Sequence, residues 1–584
     1  MVDFFSDFFL SRNFFIFLLF SFSSLATTLS EIERDAWEAY NLHHKSSAII
    51  NMTTRDPVSI DDVSPQNLEN TALALEHYAK KLSSLSDSNL SQERRLDRDT
   101  LLWILKEESV WMRSPYRRLI FNTVYSWFDI YLDVTSSQQW SSDTLYKSYQ
   151  KRLSVLPNYI NQQKTLLMEG LEIGLVQSCH ATNIHIDAMH DYLSDHALFL
   201  SPIQEKWESY GDDDKALLNA KSHKAKEAMV QYLDFVENTY APNCREKASS
   251  LPPTPKAYAD ILRYYTSTDM SPSQLHEMGL KEVDKLLNEA ESLIHSPQGK
   301  QALNVSSTSE LFALMRNTPS FFAENEDAIL ERAELVLHQA KKNAAKYFDY
   351  PDDFAKLHVV PIPPIIAEHA PAGFYQQGGD YGGTIYVNTS KPTQRNIYTI
   401  PSLMLHEGIP GHHFQIYSRL NDNSLAPYRS AYYFQAISEG WGLYAESYGQ
   451  KLIEDYSIKD KVGTLSMALL RAARLVVDTG IHSKDWSREK SISYLTSVTA
   501  ASPLVIKNEV ERFISLPGQA TTYQVGYSMI KLIRKTAEQE LGVNFNEKEF
   551  NQFLLKNTTL PLTVFQKAFN EWLLETKKVL GDEL

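Results

Sequence analysis

The sequence predicts a mainly α-helical protein with a deep cleft and a small β-sheet beside a metal-binding helix. Most segments repeat apolar residues at helical spacing, for example those that begin at Leu68, Asp143 and Leu275. The third of these follows Ser271-Pro272, a pair typical of helix starts. Strand patterns concentrate between residues 357 and 389, in LHVVPIPP and GGTIYVNT. A stretch rich in histidine and glutamate, residues 401–415, comes directly after them.

Composition indicates a globular protein and argues against nucleic acid as a partner. The chain has 584 residues, of which 43% are hydrophobic and 22% are charged. Its net charge of −15 is unsuited to broad contact with a phosphate backbone. The two cysteines, Cys179 and Cys244, are too few for a disulfide scaffold or a four-cysteine zinc site.

The N-terminus has the features of an export signal. Arg12 precedes an apolar run, residues 14–22, and Ser24-Leu25-Ala26 suits signal peptidase. We therefore predict a signal peptide over residues 1–26, with an uncleaved membrane anchor as the alternative. The apolar run is shorter than the ~20 residues that span a bilayer, so no stable membrane insertion is expected after cleavage.

Export bears on the cysteines and on the C-terminus. In an oxidising compartment Cys179 and Cys244 could form a disulfide, and two unpaired buried thiols are the alternative. The last four residues, 581–584, read GDEL and resemble a retrieval signal of the endoplasmic reticulum, although the first of them differs. The predicted location is the periplasm or the extracellular space, or the secretory lumen in a eukaryote.

A proline-rich segment, residues 241–258, suggests a boundary between two helical regions. We predict an N-terminal helical region over 27–250 and a catalytic helical region with the small sheet over 251–584. The two regions are expected to form one cleft together.

The stretch PSLMLHEGIPGHHFQ, residues 401–415, suggests a metal site. Zinc peptidases often carry H-E-x-x-H on one helix, so that both histidines share a face. Here the fifth position is Pro410, which lacks an amide hydrogen and clashes with the carbonyl of His406. The helix should break at residues 409–411 and carry His412 to the second ligand position. His413 is the alternative ligand, and surface histidines at a helix end are the alternative to any metal site.

A third ligand is expected in SEGWGLYAE, residues 438–446. Glu439 is our first choice, because its neighbours Ser438, Gly440 and Gly442 are small and permit close helix packing. Glu446, seven residues on and near the same face, is the alternative.

Further polar groups are predicted to face the cleft. Arg471, Arg474, Asp478 and His482 form one polar stripe on an otherwise apolar helix, and a buried Arg474–Asp478 ion pair is the alternative explanation. Tyr523 and Tyr527 are four residues apart on a later helix, and two core tyrosines are the alternative there. The substrate-binding candidates are Tyr386, Asn388, Arg474 and Arg512.

At these residues the chain resembles the bacterial family called domain of unknown function 885. The pattern H-E-x-x-P-G-H-H-x-Q appears as residues 406–415, and SEGWGLYAE and ERFISLPGQATTYQVGY match too. The resemblance runs from about residue 40 to the C-terminus. That family is similar to zinc metallopeptidases of the Glu-zincin type, and more distantly to thimet oligopeptidase and angiotensin-converting enzyme. The thimet family also carries Y-x-x-G-Y, here Tyr523 to Tyr527, whose tyrosines contact the substrate carbonyl.

The combined expectation is an exported zinc peptidase whose partner is a peptide substrate. Zn²⁺ would be held by His406, His412 and Glu439, with Glu407 as the general base. Tyr527, together with Tyr523 or His482, would stabilise the oxyanion, and the strand GGTIYVNT could pair with an extended peptide. The alternatives are a zinc-dependent hydrolase of another amide and a non-catalytic metal-binding homologue.

Overall fold

The computed structural model of the chain describes residues 29–44, 60–86, 90–136, 143–195, 198–249, 255–351, 356–367, 370–378 and 382–582. The predicted signal peptide, residues 1–26, lies outside the described residues, as do Glu583 and Leu584 of the GDEL sequence.

The architecture is mainly α-helical, as predicted. The helices are α1 (29–43), α2 (Pro65–Ser83), α3 (Gln92–Arg113), α4 (Trp127–Ser136), α5 (Asp143–Glu172), α6 (Cys179–Ser194), α7 (Asp212–Phe235), α8 (Pro255–Thr266), α9 (Pro272–His295), α10 (Pro297–Leu303), α11 (Thr308–Asn317), α12 (Glu326–Ala344), α13 (Pro364–Ala367), α14 (Ile400–Glu407), α15 (His412–Asn421), α16 (Pro427–Ala431), α17 (Gln435–Glu446), α18 (Gly449–Leu452), α19 (Ile458–Lys484), α20 (Arg488–Val498), α21 (Pro503–Ser515), α22 (Thr522–Leu541), α23 (Glu547–Asn557) and α24 (Leu562–Asp582).

Local sequence signals explain where many of these helices begin. Ser271 caps α9 by accepting from the amide of Gln274, whose side chain accepts from the Ser271 amide in return. Ser457 and Asp460 form the same reciprocal pair at the start of α19. Proline at the first turn of α9, as the sequence predicts, costs nothing because its missing amide hydrogen has no helical partner there.

The sheet has three strands in the order β1–β3–β2. They are β1 (Leu357–Pro361), β2 (Gly373–Gln377) and β3 (Gly383–Val387). β1 pairs with β3 in parallel, and β2 pairs with β3 antiparallel, with Tyr375 opposite Ile385. The sheet lies beside α14, as predicted, since Gly373 approaches Leu403 closely. β3, however, is the central strand, so the expectation that GGTIYVNT presents a free edge to a peptide is wrong; β1 and β2 are the edge strands.

The buried core crosses the predicted boundary at residue 250. One cluster joins the first helices to the C-terminal ones, with Trp37 and Leu101 in the same core as Trp441 and Phe565. A second cluster lies wholly within residues 63–240. The division into 27–250 and 251–584 stays a prediction, while packing already unites α1–α3 with the helices around the metal-binding stretch.

The two cysteines form a disulfide, which resolves the alternative that the sequence left open. Cys179 at the start of α6 is bonded to Cys244, 65 residues later, with 4.9 Å between the Cα atoms. The bond closes a loop that contains α6 and α7. No helix in the described part of the chain has both the length and the hydropathy needed to cross a membrane.

Removing this disulfide should lower the stability of the N-terminal helices. For a loop of 65 residues, chain-entropy arguments predict a loss of about 4 kcal/mol. The double variant Cys179→Ala/Cys244→Ala should therefore melt at a lower temperature than the wild type. Wild type in reductant is the matched control and should melt with the variant. Unchanged melting in both cases, or two titratable thiols in the purified exported protein, would contradict the prediction.

Candidate metal centre

Three side chains converge on one point between α14, α15 and α17. His406, His412 and Glu439 each offer a ligand atom, and these atoms lie within 4.8 Å of one another. Nε2 of His406 is 3.3 Å from Glu439 Oε2, and Nε2 of His412 is 3.6 Å from the same oxygen. These are the three residues that the sequence predicts as metal ligands. Two imidazoles and one carboxylate form a donor set typical of zinc.

The predicted break in the metal-binding helix is confirmed. α14 ends at Glu407 and α15 begins at His412, so residues 408–411 separate the two helices. A Cβ at Gly411 would overlap the carbonyl oxygen of His406, which explains why only glycine fits where the second helix starts. The break brings His412 beside His406, with ring centroids 4.8 Å apart.

His413 points elsewhere than its neighbour. Its Nδ1 lies 3.1 Å from the hydroxyl of Tyr375 on β2. His413 is not among the three residues whose ligand atoms converge. Between the two histidines that the sequence left open, the geometry favours His412.

Glycines on α17 let Glu439 reach the histidines. A Cβ at Gly442 would overlap the imidazole of His406, and one at Gly440 would overlap Gly526 on α22. α17 is therefore wedged between α14 and α22 at close range. The prediction that small neighbours of Glu439 permit close helix packing is confirmed.

A second layer of polar groups orients the two imidazoles. Oε1 of Glu446 lies 2.9 Å from Nδ1 of His406, and the other oxygen accepts from the Ser402 hydroxyl. Oε1 of Gln415 lies 3.2 Å from Nδ1 of His412. Because a carboxylate and an amide oxygen only accept, each Nδ1 carries the proton and each Nε2 keeps a lone pair for a metal. Glu446, the alternative ligand, thus orients His406.

Electrostatics at the centre favour a cation. Burial lowers the pKa of His406, but hydrogen bonds to Glu439 and Glu446 outweigh it and raise that pKa to about 9. For Glu439, burial raises the pKa, but hydrogen bonds to His406 and His412 outweigh it and hold the pKa well below its usual range. A raised histidine pKa and a lowered glutamate pKa at the same point mean that the surroundings stabilise positive charge there.

Glu407 sits next to the three ligand side chains but bonds to the sheet. It is 8% exposed, and its Oε2 accepts a 3.1 Å hydrogen bond from the backbone amide of Tyr375 on β2. Burial raises its pKa, since the charged carboxylate loses hydration. Sequence reasoning missed Tyr375 as a partner of Glu407, because the contact joins residues 32 positions apart.

The centre opens into a cavity of about 540 Å³. Tyr523, Arg474 and Arg512, all predicted site residues, line it together with Glu407 and the three ligand side chains. Tyr433 also lines it, and its hydroxyl lies 3.3 Å from Oε1 of Glu439. Sequence reasoning missed Tyr433, although its position six residues before Glu439 placed it near α17.

Four predicted site residues take other roles. Tyr527 lies under the Lys531 ammonium, 5.0 Å from its ring centroid, and is not among the described residues of the cavity wall. Nε2 of His482 donates to the Phe513 carbonyl, and burial lowers its pKa to about 3. Tyr386 stacks on Phe374 of the neighbouring strand. Asn388 reaches the cavity wall, but its amide donates to the carbonyls of residues 367, 370 and 371.

The polar stripe on α19 therefore divides between the cavity and the core. Arg471 and Arg474 line the cavity, whereas Asp478 accepts from the Tyr258 hydroxyl and from the Gly518 amide. The alternative of an Arg474–Asp478 ion pair is also wrong, because Arg474 pairs with Glu509 at 2.8 Å.

The buried Asp478 should make stability pH-dependent. Burial raises its pKa from 3.8 to about 7, although hydrogen bonds from Tyr258 and Gly518 oppose this. The folded state then holds a proton that the unfolded state releases, so the contribution of Asp478 to stability is lost as the pH rises from about 4 to about 7. The stability of Asp478→Asn relative to wild type should rise across that window and level off above it. Urea unfolding at pH 5, 6, 7 and 8 measures the difference, and parallel curves would contradict the assignment.

Comparison with known proteins places this arrangement in a family. Residues 54–569 match the family described as "Bacterial protein of unknown function (DUF885)". The chain belongs to the DUF885 family. The matched range includes every candidate ligand and cavity residue described above, so the candidate metal centre lies within the DUF885 region. No curated protein gives a significant match to this DUF885 chain.

Two solved structures share the fold of this DUF885 protein. A candidate lipoprotein from Colwellia psychrerythraea superposes with a TM-score of 0.83 at 22% sequence identity, over 94% of this chain and 99% of its own. A candidate lipoprotein of unknown function from Shewanella oneidensis gives a TM-score of 0.72 at 15% identity, over 92% and 99%. At these identities the likeness concerns the fold.

Proposed function

We propose that this DUF885 protein is a zinc-dependent peptidase. The observation that carries the proposal is the convergence of His406, His412 and Glu439 within 4.8 Å, with Glu407 beside them in the same cavity. A carboxylate next to a metal, but bonded to the sheet through Tyr375, suits a general base better than a ligand.

The donor set fits zinc in both its layers. Three protein ligands and an open fourth position characterise catalytic zinc sites. The Glu446–His406 and Gln415–His412 contacts supply the outer partners that such ligands need. A zinc ion held here would act as a Lewis acid and lower the pKa of water toward ~7.

Each catalytic role is assigned to a residue of the cavity. Glu407 would accept a proton from the attacking water and pass it to the leaving amine. Tyr523 would donate to the developing oxyanion, since its ring stacks 6.3 Å from that of His406. Tyr433, which is hydrogen-bonded to Glu439 and lines the same cavity, would be a second donor. Tyr527 and His482 have no part in this scheme.

The peptide would lie along β2. This strand is at the edge of the sheet, and Gly373, Phe374 and Tyr375 line the cavity. An extended peptide could therefore add to this edge of β2 through backbone groups other than the Tyr375 amide, which already donates to Glu407. The cavity volume of about 540 Å³ falls in the range of ligand sites.

We also propose that the protein is exported. The N-terminal residues have the pattern of a signal peptide, and disulfides such as Cys179–Cys244 persist in oxidising compartments. The description of both structural relatives as candidate lipoproteins agrees with this location. The mature N-terminus should lie near Thr27; retention of Met1 in exported protein, seen by intact mass, would favour a membrane anchor.

Metal analysis and a peptide library test the function together. Protein purified without chelator should contain about one zinc per chain, and a diverse library should be cut in a way that 1,10-phenanthroline stops and zinc restores. A zinc content near zero would refute the metal site. Bound zinc without cleavage of any peptide would refute the peptidase and favour the hydrolysis of another amide or a non-catalytic role.

A further inference from the structure

Three arginines gather on one wall of the cavity, and we call Arg471, Arg474 and Arg512 the arginine cluster. Glu509 pairs with two of them, at 2.8 Å from Arg474 and 3.1 Å from Arg512. Arg471 pairs with Glu446 at 3.1 Å, but the same oxygen of Glu446 also contacts His406. The cluster therefore has more positive charge than its carboxylate partners neutralise.

Some donors of the cluster are buried without a partner. Arg471 is 4% exposed, and among the described residues its Nε and Nη1 have no hydrogen-bond acceptor. The same holds for Nε of Arg512. A buried donor without an acceptor is destabilising, and more so when it is charged. The protein therefore leaves these guanidinium groups incompletely paired beside the cavity, where an anionic ligand can compensate their charge.

The charge of the whole cavity wall agrees with an anionic ligand. Its described residues include two further arginines, Arg316 and Arg395, but only three carboxylates and no lysine or aspartate. Two of those carboxylates, Glu407 and Glu439, belong to the metal centre. Arg316 donates to the carbonyls of Thr496 and Thr499, and Arg395 donates to the carbonyl and the hydroxyl of Ser390. Among the described residues, therefore, neither of these two arginines has an acidic partner.

The cluster lies one side chain away from the metal centre. The Arg474 guanidinium is 4.5 Å from the centroid of the Tyr523 ring, and that centroid lies 6.3 Å from the centroid of the His406 ring. On the Arg471 side, only the Glu446 carboxylate separates the guanidinium from His406. Because an extended chain advances ~3.3–3.6 Å per residue, these contacts place the cluster within about three residues of the bond at the metal.

We propose that the arginine cluster binds a carboxylate of the substrate, within about three residues of the scissile bond. This inference rests on the proposed peptidase function and specifies its substrate class. The C-terminal carboxylate of a peptide is the source that the position favours, which would make the enzyme a carboxypeptidase. An acidic side chain at the same distance offers the same chemistry, and the experiment separates the two sources.

The first experiment compares matched peptides with wild-type enzyme. N-acetylated hexapeptides are supplied as free acids and as C-terminal amides, and the amides carry either Glu or Gln at each of the last two positions. A charge-assisted pair contributes ~1.5–3 kcal/mol, so kcat/KM should be about 10–100 times higher for the preferred form. Preference for free acids assigns the C-terminus, preference for Glu over Gln amides assigns a side chain, and no preference overturns the proposal.

Variants then test whether the arginine cluster produces the preference for a carboxylate. Arg474→Gln removes one guanidinium, and Arg471→Lys keeps the charge toward Glu446 but loses the planar fork of donors. Each should reduce the ratio of kcat/KM between the preferred carboxylate form and its matched uncharged peptide about tenfold or more. Arg488→Gln is the matched control, because it removes a guanidinium paired with Glu511 outside the cavity wall. An unchanged preference in both cluster variants overturns the proposal.

Binding to Glu407→Gln separates this inference from the peptidase proposal. Calorimetric titration of that variant with the same acid and amide peptides reports carboxylate recognition without turnover. Equal affinities overturn the arginine-cluster proposal even if the wild type cleaves peptides. Tighter binding of a carboxylate form supports it, even if no peptide is cleaved and the peptidase proposal fails.

Discussion

Glu407→Gln should retain its zinc and lose at least ~10² in the rate of peptide hydrolysis, the low end of general-base contributions. Glutamine has the same size, and its amide oxygen can still accept the hydrogen bond from the Tyr375 amide. The variant should therefore fold and bind metal normally while lacking a base. Metal content, the melting temperature and kcat on a cleavable peptide are the three measurements.

Tyrosine variants give the matched control for this result. Tyr523 lines the cavity, whereas Tyr527 packs beneath Lys531. Tyr523→Phe should lower kcat more mildly than Glu407→Gln, because Tyr433 remains as a donor. Tyr527→Phe should leave kcat close to that of the wild type. If Glu407→Gln hydrolyses peptides as fast as the wild type, the activity lies elsewhere and the assigned mechanism is wrong.

The part of the site that sequence reasoning predicts best depends on local chemistry. Pro410 and Gly411 force a break within one short stretch, and the position of His412 follows from that break. The glycines beside Glu439 likewise predict close helix packing, but they do not identify the partner helix. In each case the deciding interaction lies within a few residues of the chain, where sterics leave few options.

The errors come from contacts between distant segments. Helical periodicity places Asp478 and His482 on one face with Arg474, but it cannot tell that this face passes from the cavity wall into the core. Alternation of apolar and polar residues in GGTIYVNT indicates a strand, but it does not tell which strands lie on either side of it. β1 pairs directly with β3 although β2 lies between them in the sequence, and such an order depends on the whole sheet.

The metal ligands and their outer partners should differ in how much metal affinity each variant loses. His406→Ala and Glu439→Ala each remove one of three ligands, so zinc and activity should be lost together. Glu446→Gln removes only the charge that holds Nδ1 of His406, and outer partners typically contribute ~10–100-fold in affinity. We therefore expect the order of zinc affinity to be wild type, Glu446→Gln and then the two ligand variants.

The neighbouring histidines provide the sharpest comparison, because they differ by one position in the sequence. His412→Ala should lose zinc and peptide hydrolysis as completely as His406→Ala, since its Nε2 faces Glu439 at 3.6 Å. His413→Ala should keep the metal, because that side chain contacts Tyr375. Competition with a chromophoric chelator measures each dissociation constant. Loss of zinc in His413→Ala alone would move the second ligand by one residue, and wild-type zinc in Glu439→Ala would transfer the third ligand to Glu446. Either result would require α15 or α17 to be turned about its axis relative to the geometry described above.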